Sequence, residues 1–290
     1  MKVKTISIIN MKGGVGKTVL AVNLAYALAM EHKKKVLLID IDPQFNATQY
    51  LIPQEDYLKI NTEVENKKRL TVADIFDPPE QERPSSVYPD CAQTNALPVT
   101  LKNLVVPIWK NEGCLDLIPS SLSLIRLDYA KRGIENRLRN FIRKVRDDYD
   151  LILIDCPPTL SVFTLSAYLA SEAILVPVRP DYLSTIGIPL LKRTIQEYNE
   201  DYQEIYDLDV KNIGIVFTMV DIRTKIMPEL IKDISAKENT FNDYLRQAIS
   251  IAEAVQQNKP FFLYEKAKDH WGEILNICTD LVKRLEALNA

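Results

Sequence analysis

The chain has 290 residues, of which 47% are hydrophobic and 26% charged, with a formal net charge of -3. This composition excludes bulk disorder and argues against a surface devoted throughout to gripping nucleic acid. No run approaches the roughly eighteen uninterrupted apolar residues of a membrane span. Met1 to Thr5 lead straight into an apolar run without the regions of a secretory leader, so a cytoplasmic location is expected. Cys91, Cys114, Cys156 and Cys278 form no C-x-x-C pair and read as reduced, structural thiols. The length fits one α/β domain over 1–290, with a proline-rich insertion at about 53–110.

The first predicted strand, Ile6 to Ile9, feeds the stretch Asn10-Met-Lys-Gly-Gly-Val-Gly-Lys-Thr18, which opens a helix reaching about Met30. Three of the eight glycines fall here. Gly13, Gly14 and Gly16 let backbone N–H groups converge on one point, the helix N-terminus adds positive potential, and Lys17 supplies a mobile charge. Thr18 stands where a hydroxyl ligates Mg²⁺, so Gly13, Gly14, Val15, Gly16, Lys17, Thr18 and Val19 are the candidate nucleotide-binding residues. The spacing fits G-x-x-x-x-G-K-[ST] only if Met11 or Lys12 replaces the first glycine. Val36 to Asp40 reads as a buried parallel strand that delivers a carboxylate to the sheet edge where α/β folds bind ligands.

From Pro53 to Lys110 there are seven of the sixteen prolines and no glycine. A helix is expected from about Leu70 to Phe76 with Thr71 as its cap, and the remainder reads as a surface excursion, either an adaptor surface or a tolerated insertion. Strands are expected at Leu104 to Trp109 and Leu115 to Pro119, the second leading through Ser120 and Ser121 into a helix. Between Arg126 and Arg146 eight basic residues face two acidic ones. A helix from about Ile134 puts Leu138, Ile142 and Val145 on one face and leaves Arg137, Arg139, Arg143, Lys144 and Arg146 mostly outward. That face is open to two readings, a solvated surface or a contact for DNA phosphates.

Asp150 to Asp155 is the next buried strand, and Asp155 has the chemistry of a Walker B acid that holds the Mg²⁺ shell. A helix over Ser161 to Ala170, a strand over Ala173 to Val178, a helix over Leu183 to Tyr198 and a strand over Val210 to Thr218 follow. This alternation predicts a doubly wound, mostly parallel sheet with helices on both faces. The last helix starts near Trp271, with Ile274, Leu275, Cys278, Leu281, Val282, Leu285 and Leu288 on an apolar stripe suited to docking on a core.

The segment K-G-G-V-G-K-T, with Lys12 before the glycines, resembles the deviant Walker A motif of the ParA/MinD family of dimerising P-loop ATPases. Asp40-Ile-Asp42-Pro-Gln with Asn46-Ala-Thr48, Asp155-Cys-Pro-Pro158, the strand Leu115 to Pro119, Thr218-Met-Val-Asp-Ile-Arg-Thr224 and Ile251-Ala-Glu-Ala254 are similar to further signatures of that family. The resemblance covers roughly 1–52 and 112–290. It implies ATP and Mg²⁺ as cofactors and Lys12, Lys17 and Asp42 as catalytic residues. Lys12 would reach the partner's nucleotide across a homodimer, Asp42 would position the attacking water, and Asp40 would join Thr18 and Asp155 in supporting Mg²⁺. The block after Ile251 would help enclose the adenine.

With no evident glutamate base, the implied ATP hydrolase is slow and stimulated by a partner. Plasmid or chromosome partition with a ParB-like centromere-binding adaptor is the expected role, with nonspecific DNA held in the ATP state and nucleoid association if so. The alternative is positioning of another cargo without DNA. Gln247 to Ser250 stands where many ParA proteins carry DNA-binding arginines, and Arg223 reads equally as a DNA or partner contact and as an ion pair with Asp221. The C-terminal stripe lacks the basic face of the MinD membrane helix, so no stable membrane association is expected. A metal-delivery ATPase would need cysteines placed to bridge a cluster.

Overall fold

Continuous apolar runs such as Val36 to Ile39 and Ile152 to Ile154 offer no face to water, so they lie within a sheet covered on both sides. The computed structural model describes residues 4–61, 70–78, 97–127 and 133–289. In chain order these form β1 (Thr5–Ile8), α1 (Lys17–Met30), β2 (Lys35–Asp40), α2 (Asn46–Leu51), α3 (Gln54–Asn61), α4 (Val72–Phe76), α5 (Leu101–Leu104), β3 (Val106–Lys110) and β4 (Cys114–Ile118). Then come α6 (Arg137–Val145), β5 (Leu151–Asp155), α7 (Val162–Ala170), β6 (Ala173–Val178), α8 (Tyr182–Tyr206), β7 (Lys211–Phe217), α9 (Ile226–Ser235), α10 (Ile249–Gln256) and α11 (Trp271–Asn289).

The strands form one seven-stranded sheet in the order β3-β4-β2-β5-β1-β6-β7. Every pairing is parallel except the β3–β4 hairpin at one edge. That hairpin turns at Gly113, where an added Cβ would lie 2.3 Å from the Ala29 carbonyl oxygen and 2.7 Å from that of Lys34. β1 lies between β5 and β6, so the chain leaves it where the strand order reverses, the place at which open α/β sheets bind ligands.

Alternate residues of each strand feed two cores. Ile6, Ile8, Val36, Leu38, Leu151 and Leu153 face α1, α10 and α11, whereas Leu37, Ile39, Ile152, Ile154 and Val176 face α4, α6, α7 and α8. Ser7, on the second face of β1, is buried and satisfied by the Ala167 carbonyl and the Ser171 hydroxyl. On α11, Ile274, Cys278, Leu281 and Leu285 are buried as expected, joined by Ile277. Fully buried branched side chains of this kind contribute roughly 1.5–3 kcal/mol each. Leu288, assigned to that stripe, is 41% exposed because it lies beyond the last turn that meets the core.

Several elements differ from expectation. The segment after Ser121 is a 3₁₀ turn over Leu122–Arg126, and α6 is preceded by another over Ile134–Asn136. α8 runs 25 residues, two turns beyond Tyr198. Its second half is polar but carries Tyr198, Tyr202 and Tyr206 at helical spacing, with the last two rings stacked and Arg139 lying over Tyr206. Of the five basic residues expected to point outward around α6, three turn back: Arg137 donates to the Phe76 carbonyl, Arg139 to that of Tyr206, and Arg146 pairs with Glu172 at 2.8 Å. In the proline-rich segment α4 forms as expected, with Asp74 accepting from the Thr71 backbone N–H at 2.8 Å. Residues 62–69 and 79–96 of that segment, Cys91 among them, lie outside the described residues.

Candidate functional site

The loop between β1 and α1 is built by glycine conformation and closed by a lysine. Gly14 (φ 70°) and Gly16 (φ 76°) occupy the left-handed region, where any Cβ would be strained, and Gly16 caps α1. Asn10 braces the entry, accepting from the Lys12 backbone N–H and donating to the Pro177 carbonyl. Lys17 is 7% exposed and its ammonium donates to the carbonyls of Asn10 and Lys12, each at 3.0 Å. Burial pulls its pKa below the ordinary lysine value, against the attraction of Asp155 and Asp42. The Thr218 hydroxyl fixes the loop from the β7 side by donating to the Val15 carbonyl at 2.5 Å.

Three carboxylates converge beneath this loop. Asp40 and Asp155 end neighbouring strands in register, and both are fully buried. Asp155 accepts from the Thr18 hydroxyl through Oδ2 at 2.8 Å, while its buried Oδ1 has no partner. Asp40 is committed to the protein: Oδ1 accepts from the Asp42 N–H at 3.1 Å, and Oδ2 from the Thr48 N–H and hydroxyl, each at 2.8 Å. Burial pushes the Asp40 carboxyl up to about 7, opposed by its hydrogen bonds with Thr48. Asp155 is raised well above its ordinary value by burial and then by the charge of Asp40, with the Thr18 hydroxyl opposing.

Asp42 is 5% exposed, and its Oδ1 accepts from the Gln44 N–H at 2.9 Å. Ser120 holds the same turn, its hydroxyl donating to the Asp42 carbonyl and its N–H to the Thr48 hydroxyl. Asp42 lines a cavity of about 910 Å³ together with Gly14 to Val19. A second cavity of about 360 Å³, walled by Val19, Met219, Ala248, Ile251 and Val255, meets the first at Gly16 and Val19. Asn23, fully buried in α1, ties the walls together. It donates to the Val19 carbonyl and the Tyr50 hydroxyl and accepts from the Phe261 N–H at 2.8 Å.

Lys12 lies outside this cradle. Its ammonium meets Asp181 Oδ2 at 2.5 Å, with both side chains 31% exposed. Asp181 also caps α8, its Oδ1 accepting from the Ser184 N–H at 3.0 Å. Burial pushes the Asp181 carboxyl up, but its hydrogen bonds with Lys12 and Ser184 outweigh that and hold it below its ordinary value. The sequence reading passed over Asp181, although Asp-x-x-Ser before a helix is a cap signal that would have flagged it. Asn10 and Asn23 carried no comparable signal.

The candidate DNA contacts are largely engaged within the chain. Arg223 makes a two-pronged pair with Asp221, both contacts at 2.8 Å. Arg246, which adjoins Gln247 to Ser250 but stands outside the register of the family's DNA-binding arginines, is drawn onto Glu273 and the Asp269 carbonyl. Arg143 and Lys144 make no hydrogen bond or ion pair among the described residues. Cys114, Cys156 and Cys278 are free thiols, and no described group of His, Cys, Asp and Glu is arranged to hold a metal cluster. Among the described residues no helix is long and apolar enough to cross a membrane.

Known proteins place this arrangement. The AAA domain family AAA_31 matches residues 3–208. The chain is 30% identical to the chromosome partitioning protein ParA of Myxococcus xanthus, over 97% of this chain and 88% of the relative. It is also 30% identical to the sporulation initiation inhibitor protein Soj of Bacillus subtilis, over 90% and 91%. A plasmid partition protein from Borrelia burgdorferi, solved with AMPPNP bound, shares the fold with a TM-score of 0.73 at 23% identity, covering 98% of this chain and all of that one. The loop that Lys12 introduces and Lys17 closes thus belongs, with the sheet that carries it, to a member of the ParA/Soj-type P-loop ATPases.

Proposed function

We propose that the protein is a Mg²⁺-dependent ATP hydrolase that dimerises on ATP and serves as a slow switch in plasmid or chromosome partition. The observation that carries the site is the buried, unpartnered Oδ1 of Asp155 beside the Thr18 hydroxyl, an orphaned acceptor of the kind a hydrated cation satisfies. Thr18 and Asp155 would hold Mg²⁺, which when bound neutralises charge on the phosphate oxygens. Asp40, with its oxygens already engaged, acts at one remove by holding the turn that presents Asp42. Gly13 to Thr18 bind the phosphates and Lys17 turns from the loop carbonyls to them. Asp42, in the cavity wall, orients the attacking water. The smaller cavity receives the adenine.

Dimerisation is supported by the face that carries Lys12. Close to Lys12 in the chain's fold, the first turns of α8 expose Tyr182 (73%), Leu183 (62%), Ile186 (51%) and Leu190 (55%), and Leu160 after β5 is 53% exposed. Large apolar side chains gathered on one face suit a partner. A second copy facing this surface would bring its own Lys12 to the nucleotide, so hydrolysis would wait on assembly as with an arginine finger. The names of the relatives support partition, with a ParB-like adaptor as stimulating partner. The internal engagement of Arg137, Arg139, Arg146, Arg223 and Arg246 supports a second reading, positioning of a cargo other than DNA.

Size-exclusion chromatography of Asp42→Ala with ATP and Mg²⁺ tests the switch, with a trapped dimer expected and a monomer counting against it. Binding to nonspecific duplex DNA with ATP, ADP and no nucleotide across a salt series separates the two cargo readings. An ATP-dependent, salt-sensitive signal supports partition, and its absence at low salt supports the other cargo.

A further inference from the structure

The larger cavity extends from the phosphate loop to a wall that carries Phe45, Asn46 and Gln49 at α2 and Gln54 and Tyr57 on α3. Each cavity beside the loop falls within the ~300–1,000 Å³ that a single small ligand occupies. The far wall has unusual construction. Phe45 stands at φ 45°, in the left-handed region that disfavours any residue with a Cβ, yet it carries a phenyl ring. That ring stacks on Tyr57 of α3 with centroids 4.9 Å apart and planes within 8° of parallel. Both residues are half-buried and line the cavity.

Amides share this cavity with the rings. Asn46, Gln49, Gln54 and Gln256 line the same space, and their side chains make no hydrogen bond among the described residues. Among the described residues the charged ones lining it are Lys17 and Asp42, both at the phosphate end. Free amides offer a donor and an acceptor each, and a flat aromatic platform offers a stacking face. Together they match the edge and the plane of a nucleobase.

We propose that this lobe binds a second nucleobase, linked through phosphates to the nucleotide at the loop, so that the protein recognises dinucleoside polyphosphates as well as ATP. One base occupies the cavity beside Met219 and Ala248, the phosphate chain crosses Gly13 to Thr18, and the other base stacks on the Phe45–Tyr57 platform with its edge toward the amides of α2 and α3. The proposal rests on the ATP reading above and adds a ligand class to the same site.

Isothermal titration calorimetry of the full chain with ATP and with diadenosine tetraphosphate, both with Mg²⁺, tests it. The tetraphosphate is expected to bind at least tenfold more tightly, a difference of about 1.4 kcal/mol. Tyr57→Ala and Tyr57→Leu should both lose that advantage and keep ATP affinity within twofold, because leucine preserves bulk against Phe45 but offers no planar face. Equal affinity of the parent protein for the two ligands overturns the proposal and leaves the ATP reading intact. So does equal weakening of both ligands by Tyr57→Ala, or a loss of ATP-dependent dimerisation in that variant, which would mark the wall as a contact for a second copy. Failure of ATP itself to bind would remove the nucleotide reading and this proposal together.

Discussion

Lys12 cannot serve a partner's nucleotide while it is held by Asp181 of its own chain, so Asp181→Asn should ease dimerisation. The substitution removes the charge but keeps a side-chain oxygen for the Ser184 N–H, since asparagine caps helices as well as aspartate. The Lys12–Asp181 contact is short but about a third exposed on each side, and screening by water holds such a pair to about 1 kcal/mol. A symmetric dimer must release it twice, about 2 kcal/mol, or roughly a thirtyfold change in the dimer dissociation constant. Sedimentation velocity over a protein concentration series, with Mg²⁺ and a non-hydrolysable ATP analogue, reads that constant directly. A tighter dimer by ten- to thirtyfold is the expected result. Weakening by tenfold or more would refute the reasoning, because it would mean that Asp181 acts across the interface rather than as a restraint within the monomer.

The two lysines of the loop should separate in function. Lys17→Ala is expected to lower ATP affinity at least a hundredfold by equilibrium dialysis, whereas Lys12→Ala should retain affinity within a few fold and lose dimer-dependent hydrolysis. Equal loss of ATP binding in both variants would remove the distinction. Asp40, raised to about 7 in the folded state by burial, stays protonated there at pH values where an unfolded chain has ionised it. Its contribution to stability is therefore full below about pH 4 and is lost as the pH rises toward 7 and through it. Nucleotide-free protein should melt lower at pH 8 than at pH 5, and Asp40→Asn should flatten that dependence; an identical slope in the variant would exclude Asp40 as its source. Gly113→Ala would force a Cβ to within 2.3 Å of the Ala29 carbonyl oxygen. It should cost about 3 kcal/mol, the overpacking range, and lower Tm by roughly 6–10 °C in calorimetry. A Tm within 2 °C of the parent would show that the hairpin turn yields easily.

The phosphate loop, both D-containing strand ends and the alternation of strand and helix were readable because each depends on local chemistry. Glycines that must take positive φ, apolar runs with no wet face and acids at strand ends all leave their mark within a dozen residues. What escaped depended on partners distant in sequence. Arg137 and Arg139 look outward on a helical wheel but reach the Phe76 and Tyr206 carbonyls, and neither carbonyl can be assigned as a partner from periodicity. α8 runs past the predicted end at Tyr198 because its polar second half offers no apolar stripe to read, while Tyr202 and Tyr206 extend the four-residue spacing from Tyr198. Asp40 illustrates a different limit. Its position at the sheet edge is legible, but only the structure reveals that Thr48 and the Asp42 backbone have claimed its oxygens.

The three bonds of Asn23 bear on how the protein can be dissected. They join a side chain in the first helix to a tyrosine of the second and to the main chain at Phe261, well beyond residue 208, where the match to the AAA domain family ends. A fragment trimmed to that boundary would keep every glycine and acid of the phosphate loop. It would nevertheless lose the strand β7, the Met219 and Ala248 wall and the Phe261 N–H that donates to the Asn23 amide oxygen, which is left buried without a donor among the described residues. If the smaller cavity takes the base as proposed, the unit that holds a nucleotide extends past residue 208 at least to Phe261, where the chain returns to the helix with which the phosphate loop opens.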